Sequence, residues 1–213
     1  MEVVTGIIDF ILHIDVHLQE IIGQYGALTY LILFLIVFAE TGLVVTPILP
    51  GDSLLFAAGT FAALGSLNPF LLTLLLIAAA IAGDTVNYWV GHWVGPKAFS
   101  GKIRWLRADY MKRTEEFYER HGGKTIIMAR FVPIVRTFAP FVAGVGRMHY
   151  GRFLAFNVVG AVLWVSLCVM AGYFFGNLPF VRENFSLVVL GIIGVSMIPL
   201  VVEWIRSRRA PAA

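Results

Sequence analysis

Polar residues are thinly spread through long apolar runs in this chain, and their spacing predicts helices. Over residues 7–24, Asp9, His13, Glu20 and Gln24 fall on one helical stripe, with Ile7, Ile11, Ile14, Leu18 and Ile21 mostly opposite. That pattern predicts an amphipathic helix lying in a membrane interface. After Tyr25-Gly26 an apolar segment runs through Phe38 and meets Glu40. The stretch that follows, ETGLVVTPILPGDSLLFAAGTFAALG, is interrupted by Pro47, Pro50 and Gly51 and does not read as a plain span. Residues 69–94 predict an uninterrupted helix, long enough at about 1.5 Å per residue to cross a hydrocarbon core of about 30 Å. One face of it is polar or small, because Asp84, Asn87, Tyr88, Gly91 and Gly95 recur at helical spacing. Two further spans are predicted over 153–177 and 185–205, followed by a short basic tail, 206–213, with Arg206, Arg208 and Arg209.

The most unusual segment is 125–148, TIIMARFVPIVRTFAPFVAGVGRM, which sets Arg130 and Arg136 among apolar residues with Pro133 and Pro140 beside them. An arginine near the centre of a bilayer costs about 2.5–3.5 kcal/mol on insertion scales. Each proline also removes a backbone donor, and broken backbone at membrane depth survives only where protein or a water-filled cavity covers it. The segment therefore reads as re-entrant and cavity-lining, with two fixed positive charges.

Composition supports a membrane setting. Of 213 residues, 59% are hydrophobic and 14% charged, where soluble domains carry about 25% charged residues. Mean hydropathy is +0.83. A lone Cys168 allows no internal disulfide. No lysine or arginine precedes Lys97, so the basic start of a cleaved leader is missing and none is expected. His13 and His17 share the i,i+4 spacing of a metal pair, but a polar interfacial stripe explains both and no third ligand stands out.

The charge is concentrated in 97–124, where eight lysines and arginines face four acids and the pairs Asp109–Arg113 and Lys112–Glu116 suggest a short surface helix. The positive-inside rule places this loop and the C-terminal tail in the cytoplasm. The interrupted segments, about 41–65 and 125–148, then dip toward each other from opposite faces. A loose internal repeat at a shift of about 85 agrees: Pro47, Gly59 and Tyr88-x-x-Gly91 fall near Pro133, Gly144 and Tyr173-x-x-Gly176. Paired broken segments point to an inverted-repeat transporter with its site at the midplane. Gly172–Gly176 also matches GxxxG, which serves close packing within one chain or dimerisation equally well.

Each broken segment is expected to restart a helix at its tip, with Asp52 or Ser53 capping 54–64 and Thr137 capping 138–148 ahead of Pro140. Helix N-termini favour anions, and guanidinium forks at Arg130 and Arg136 suit phosphate oxygens. Arg130 is alternatively a partner for Glu40 or Asp84, and Asp52 alternatively only a cap, since buried membrane charges commonly pair.

The motifs E40-T-G-L-V-V-T-P-I-L-P-G-D52 followed by S-L-L-F-A-A-G, then G83-D-T-V-N-Y-x-x-G, then H-G-G-K-T-I-I-M-A-R130-F-V-P-I-V-R136-T-F-A-P-F-V-A-G, resemble the bacterial DedA family, which belongs with the eukaryotic VTT-domain lipid scramblases. The similarity spans about residues 20 to 180. It implies a polytopic inner-membrane protein with two opposed re-entrant hairpins, and roles in returning undecaprenyl phosphate across the cytoplasmic membrane, in envelope homeostasis and in proton-motive-force-linked phenotypes. The family's essential acids match Glu40 and Asp52, and its essential arginines match Arg130 and Arg136.

The expectation is thus one all-α membrane domain over 1–213: an inverted-repeat bundle with two opposed re-entrant hairpins and an N-terminal amphipathic helix. It would act as a flippase or scramblase for a phosphate-bearing lipid. Arg130, Arg136 and Thr137 would bind the headgroup, and Glu40 and Asp52 would respond to protons. Asp84, Pro47, Pro50, Gly51, Ser53, Asn87, Tyr88, Pro133 and Pro140 would support them. The partners expected are lipids and protons, with a homo-oligomer allowed; no cofactor, metal or nucleic acid is expected. A proton-coupled exporter of small solutes or drugs would use the same acids without needing the arginine pair. An intramembrane lipid phosphatase lacks a nucleophile with a base at readable spacing, so an enzyme is not expected.

Overall fold

The computed structural model describes residues 14–43, 51–98, 123–192 and 194–195, and everything regular among them is helical. The helices are α1 (Ile14–Tyr25), α2 (Leu28–Gly42), α3 (Gly51–Ala63), α4 (Pro69–Ala98), α5 (Lys124–Ala129), α6 (Pro133–Val145), α7 (Tyr150–Phe175) and α8 (Pro179–Glu183), with further helical residues at 185–192. The start of the expected N-terminal helix, 7–13, the expected elements at Pro47 and Pro50, residues 99–122 of the charged loop, the basic tail and most of the last span lie outside the described residues.

Two helices, Pro69–Gly95 within α4 and α7, are long and apolar enough to cross a membrane, and only 33% and 39% of their most apolar stretches are buried inside the protein. Leu71, Leu74, Val90, Leu163, Leu167 and Phe174 point outward. A soluble fold hides such surface; here the apolar face is on the outside, as lipid demands.

The chain divides into two compact units. The first comprises 1–30, 49–73 and 166–213, the second 31–48 and 74–165. In the first, α1 packs on α3, and Asn68 caps the start of α4 by accepting from the Leu71 N–H at 3.0 Å, with Pro69 opening the helix. Gly59 of α3 lies against the Val169 carbonyl, and Gly172 of α7 against the Phe56 carbonyl. A Cβ at either glycine would collide with backbone, and one at Gly176 would collide with the Thr60 side chain, so both glycines of the GxxxG pair are used for packing inside this chain.

The second unit repeats this contact. Gly144 of α6 lies against the Tyr88 carbonyl, and Gly91 of α4 against the Phe141 carbonyl. The equivalences are Phe56 with Phe141, Gly59 with Gly144, Val169 with Tyr88 and Gly172 with Gly91. The broken helices thus keep the shift of 85 read from sequence, while the long helices pair one turn out of that register, Gly91 answering Gly172 rather than Gly176. Around the second contact, Tyr88 stacks on Phe153 with ring centroids 4.5 Å apart and donates its hydroxyl hydrogen to the Met148 carbonyl. Ile126, Ala129, Ala139 and Ala143 complete this core.

Both expected caps are corrected. The second broken helix begins at Pro133, with Val132 extended at φ −120° and ψ 106°. Proline disfavours the helical region for the residue before it and supplies a ready φ at N1, so the chain breaks at Arg130–Val132 rather than at Thr137. Thr137 is buried within α6, and Pro140 sits inside the helix, where it has no N–H to offer the Arg136 carbonyl. In the first unit α3 already runs at Gly51, so Asp52 lies in its first turn and Ser53 is buried within it with no partner for its hydroxyl.

Candidate functional site

Four carboxylate and guanidinium side chains are buried among the described residues: Glu40, Asp84, Arg130 and Arg136. All four belong to the second unit. Glu40 stands in the last turn of α2, which Gly42 and Gly83 bring so close to α4 that a Cβ at Gly83 would meet the Phe38 carbonyl at 2.8 Å. Asp84 follows on the same α4 face, and Asn87, Tyr88, Gly91 and Gly95 are all buried along it. The sequence spacing of that face is therefore the observed one.

Arg130 ends α5 at the break, and Arg136 points inward from the start of α6. Each has its own acid. The Arg130 Nη2 donates to Asp84 Oδ2, to Asn157 Oδ1 and, at 3.5 Å, to the Ala80 carbonyl. The Arg136 Nη2 donates to Glu40 Oε1. Of the two partners foreseen for Arg130, Asp84 is the one found. The two ion pairs leave the buried set neutral, which is how a low-dielectric interior tolerates charge. Nε of Arg130 has no partner.

Both guanidinium groups lie against one ring. The Trp164 centroid is 5.8 Å from Cζ of Arg130 and 4.9 Å from Cζ of Arg136, within cation–π range. Trp164 and Asn157 lie two turns apart on one face of α7, with Gly160 between them. A Cβ at Gly160 would approach Cδ and Nε of Arg130 to 3.1 and 3.2 Å, so a larger residue would crowd the arginine. Asn157 also donates to the Ile81 carbonyl at 3.2 Å, tying α7 to α4.

Asn87 links the two interruptions. Its Nδ2 donates to the carbonyls of Thr41, at the end of α2, and Thr137, in α6, at 3.2 and 2.7 Å. Its Oδ1 is buried without a partner. The structure thus gathers Glu40, Asp84, Asn87, Arg130, Arg136 and Thr137 in one unit. Asp52, Gly51 and Ser53 belong to the other unit; Pro47 and Pro50 lie outside the described residues. Asn157 and Trp164 were not foreseen, although a lone asparagine inside FNVVGAVLWV is a signal for a buried polar contact. Among the described residues no cluster of three metal-ligating side chains occurs.

Residues 49–174 match the VTT domain family. The chain is 57% identical to Protein DedA of Escherichia coli (strain K12), an alignment covering 100% of this chain and 98% of that one. It is 41% identical to an uncharacterized membrane protein of Mycobacterium tuberculosis (strain ATCC 25618 / H37Rv), covering 88% and 84%. It is 35% identical to the inner membrane protein YghB of E. coli (strain K12), covering 83% and 78%. No solved structure matches the chain.

Proposed function

The chain belongs to the VTT-domain family of membrane proteins that includes DedA, and we propose that it moves a phosphate-bearing lipid, undecaprenyl phosphate first, between the leaflets of a bacterial cytoplasmic membrane. The observation that carries this reading is the pair of buried guanidinium groups, each held by a carboxylate that an incoming phosphate can replace. Arginine presents a planar fork matched to phosphate oxygens. Arg136 in addition sits beside the N-terminus of α6, where the Ile134 and Val135 N–H groups lack carbonyl partners within the helix and the dipole favours an anion. The headgroup would enter the site while the prenyl tail stays in lipid. Glu40, and Asp52 from the other unit, would respond to protons.

The same reading makes 41–65 and 125–148 opposed re-entrant hairpins of a multi-pass inner-membrane protein with a cytoplasmic C-terminus. Labelling of single cysteines should then place Ser66 and Lys102 on opposite sides; the same side for both would refute the topology. For the activity, the full chain is reconstituted in vesicles carrying a polyprenyl monophosphate, and leaflet exchange is followed. Exchange above protein-free vesicles is expected, and its absence for every phosphate-bearing lipid tried refutes the function. Phosphate release would identify the phosphatase alternative, and flux of a small solute without lipid the exporter.

A further inference from the structure

The charge balance of the buried set constrains what must accompany a headgroup. Among the described residues the buried ionisable carboxylates and guanidinium groups are two and two, paired Asp84 with Arg130 and Glu40 with Arg136. Besides their paired arginines, neutral groups face them: Asn157 from α7 and the Ala80 carbonyl meet Arg130, and Trp164 lies against both arginines. A phosphomonoester brings between about −1.5 and −2 charges at neutral pH, its second proton being lost near pH 6. Added to the neutral site, it would leave nearly two uncompensated negative charges in a low-dielectric interior, which such interiors do not hold.

We propose that the site alternates between two neutral states: empty with both ion pairs closed, and loaded with one dianionic phosphomonoester across both guanidinium groups while Asp84 and Glu40 each carry a proton. Each headgroup therefore crosses with two protons, carried by Asp84 and Glu40, and Asp84 takes the coupling role that the function proposed above gave to Asp52. This inference rests on the phosphate-lipid function proposed above and specifies its coupling. The balance closes: two protons and one dianion enter the neutral site together and leave together, and no covalent bond changes.

The surroundings of Arg130 suit such an exchange. Once Asp84 is protonated, Asn157 Oδ1 and the Ala80 carbonyl still hold the Nη2 group, and Trp164 still lies against the guanidinium. The arginine stays in place while its charge becomes available. Its Nε, buried and without a partner among the protein's own groups, gives the headgroup a donor that no carboxylate has to vacate.

The test uses the full chain in phosphatidylcholine vesicles containing a polyprenyl monophosphate, with its leaflet distribution read at equilibrium above pH 7. A pH difference is imposed at zero potential, and separately a potassium-diffusion potential at equal pH. Two protons per dianion give a distribution ratio of about 100-fold per pH unit, whereas one proton gives about tenfold. An electroneutral crossing leaves the distribution unmoved by potential, whereas one uncompensated charge shifts it by about 50-fold per 100 mV. In Asp84→Asn the slope should fall to the one-proton value and a response to potential should emerge. A one-proton slope in the parent, or a distribution set by potential alone, overturns the two-proton ratio while leaving lipid transport standing. An Asp84→Asn protein with the parent's slope overturns the assignment of Asp84. If Asp84→Asn does not accumulate, Glu40→Gln tests the other pair in the same way, and the parent's two measurements decide the ratio by themselves. A protein that moves no phosphate-bearing lipid overturns the function on which the inference rests.

Discussion

Removing Arg130 separates what it does for the fold from what it does for transport. In Arg130→Met, Asp84 loses its ion-pair partner and Asn157 Oδ1 loses a charged donor, both in the interior. Breaking one side of a buried ion pair costs about 3–5 kcal/mol, and stranding a buried acceptor about 1–3 kcal/mol. Proton uptake by Asp84 relieves part of the first cost, so the net loss expected at neutral pH is about 3 kcal/mol, a large share of the 5–15 kcal/mol typical of a domain. Replacing both partners, Arg130→Met with Asp84→Leu, removes the stranded charge and leaves only the Asn157 acceptor unpaired. Buried pairs exchanged for apolar residues of similar size are often neutral or stabilising. The double variant should therefore regain most of the lost stability, with a coupling energy of about 2 kcal/mol or more, yet transport no lipid. Thermal unfolding of purified protein, with leaflet exchange on the same preparations, reads both quantities. A double variant as unstable as Arg130→Met refutes the ion pair as the stabilising element, and one that still transports refutes Arg130 as a phosphate ligand.

Three further outcomes are expected. Arg136→Lys keeps the charge but loses the planar fork, so it should accumulate normally and lose most exchange; parental exchange in the lysine variant would leave simple charge balance as the better account. Gly160→Ala places a methyl about 3 Å from Cδ and Nε of Arg130, which should reduce exchange several-fold with little change in unfolding temperature, while an equally active variant would show that the arginine has room to shift. Asn87→Leu removes both bonds between the end of α2 and α6, and at about 1 kcal/mol for each lost bond should lower stability by about 2 kcal/mol, measured by thermal unfolding; no change would mean these two bonds contribute nothing net.

Much of the site was legible because charge is so scarce in this chain. Glu40, Asp52, Asp84, Arg130 and Arg136 stand out in the sequence as residues that lipid would not tolerate alone, and the small and polar face of α4 follows from spacing; that Asp84 rather than Asp52 shares a unit with the arginines does not. Which acid meets which arginine was not legible, since Arg130 is 46 residues from Asp84 and Arg136 is 96 from Glu40. Trp164 escaped notice because a tryptophan in an apolar span looks the same whether it faces lipid or a guanidinium group. The second broken helix starts at Pro133 rather than after Thr137 for a local reason. Thr137 offers a capping hydroxyl and Val132 none, but the steric restriction that Pro133 imposes on Val132 outweighs a missing side-chain bond. The close glycine contacts keep the shift of 85 in the broken helices and fall a turn short of it in the long ones, because Tyr-x-x-Gly occurs in α4 and α7 at positions that do not make equivalent contacts.

The separation of Asp84 from Arg130 along the chain also bears on how the protein enters its membrane. Synthesis delivers α4 before the arginine that neutralises its acid. Insertion of one central aspartate costs about 2.5–3.5 kcal/mol, while each leucine, isoleucine, phenylalanine or valine returns about 0.3–0.6 kcal/mol. The apolar load of α4, from Phe70 and Leu71 through Ile81 to Val90, is enough to carry Asp84 in by itself. The six residues of α5 could not do the same for Arg130, since a crossing takes about 20 residues. The acid is thus installed first, and the later arginine finds a counter-ion already waiting at depth.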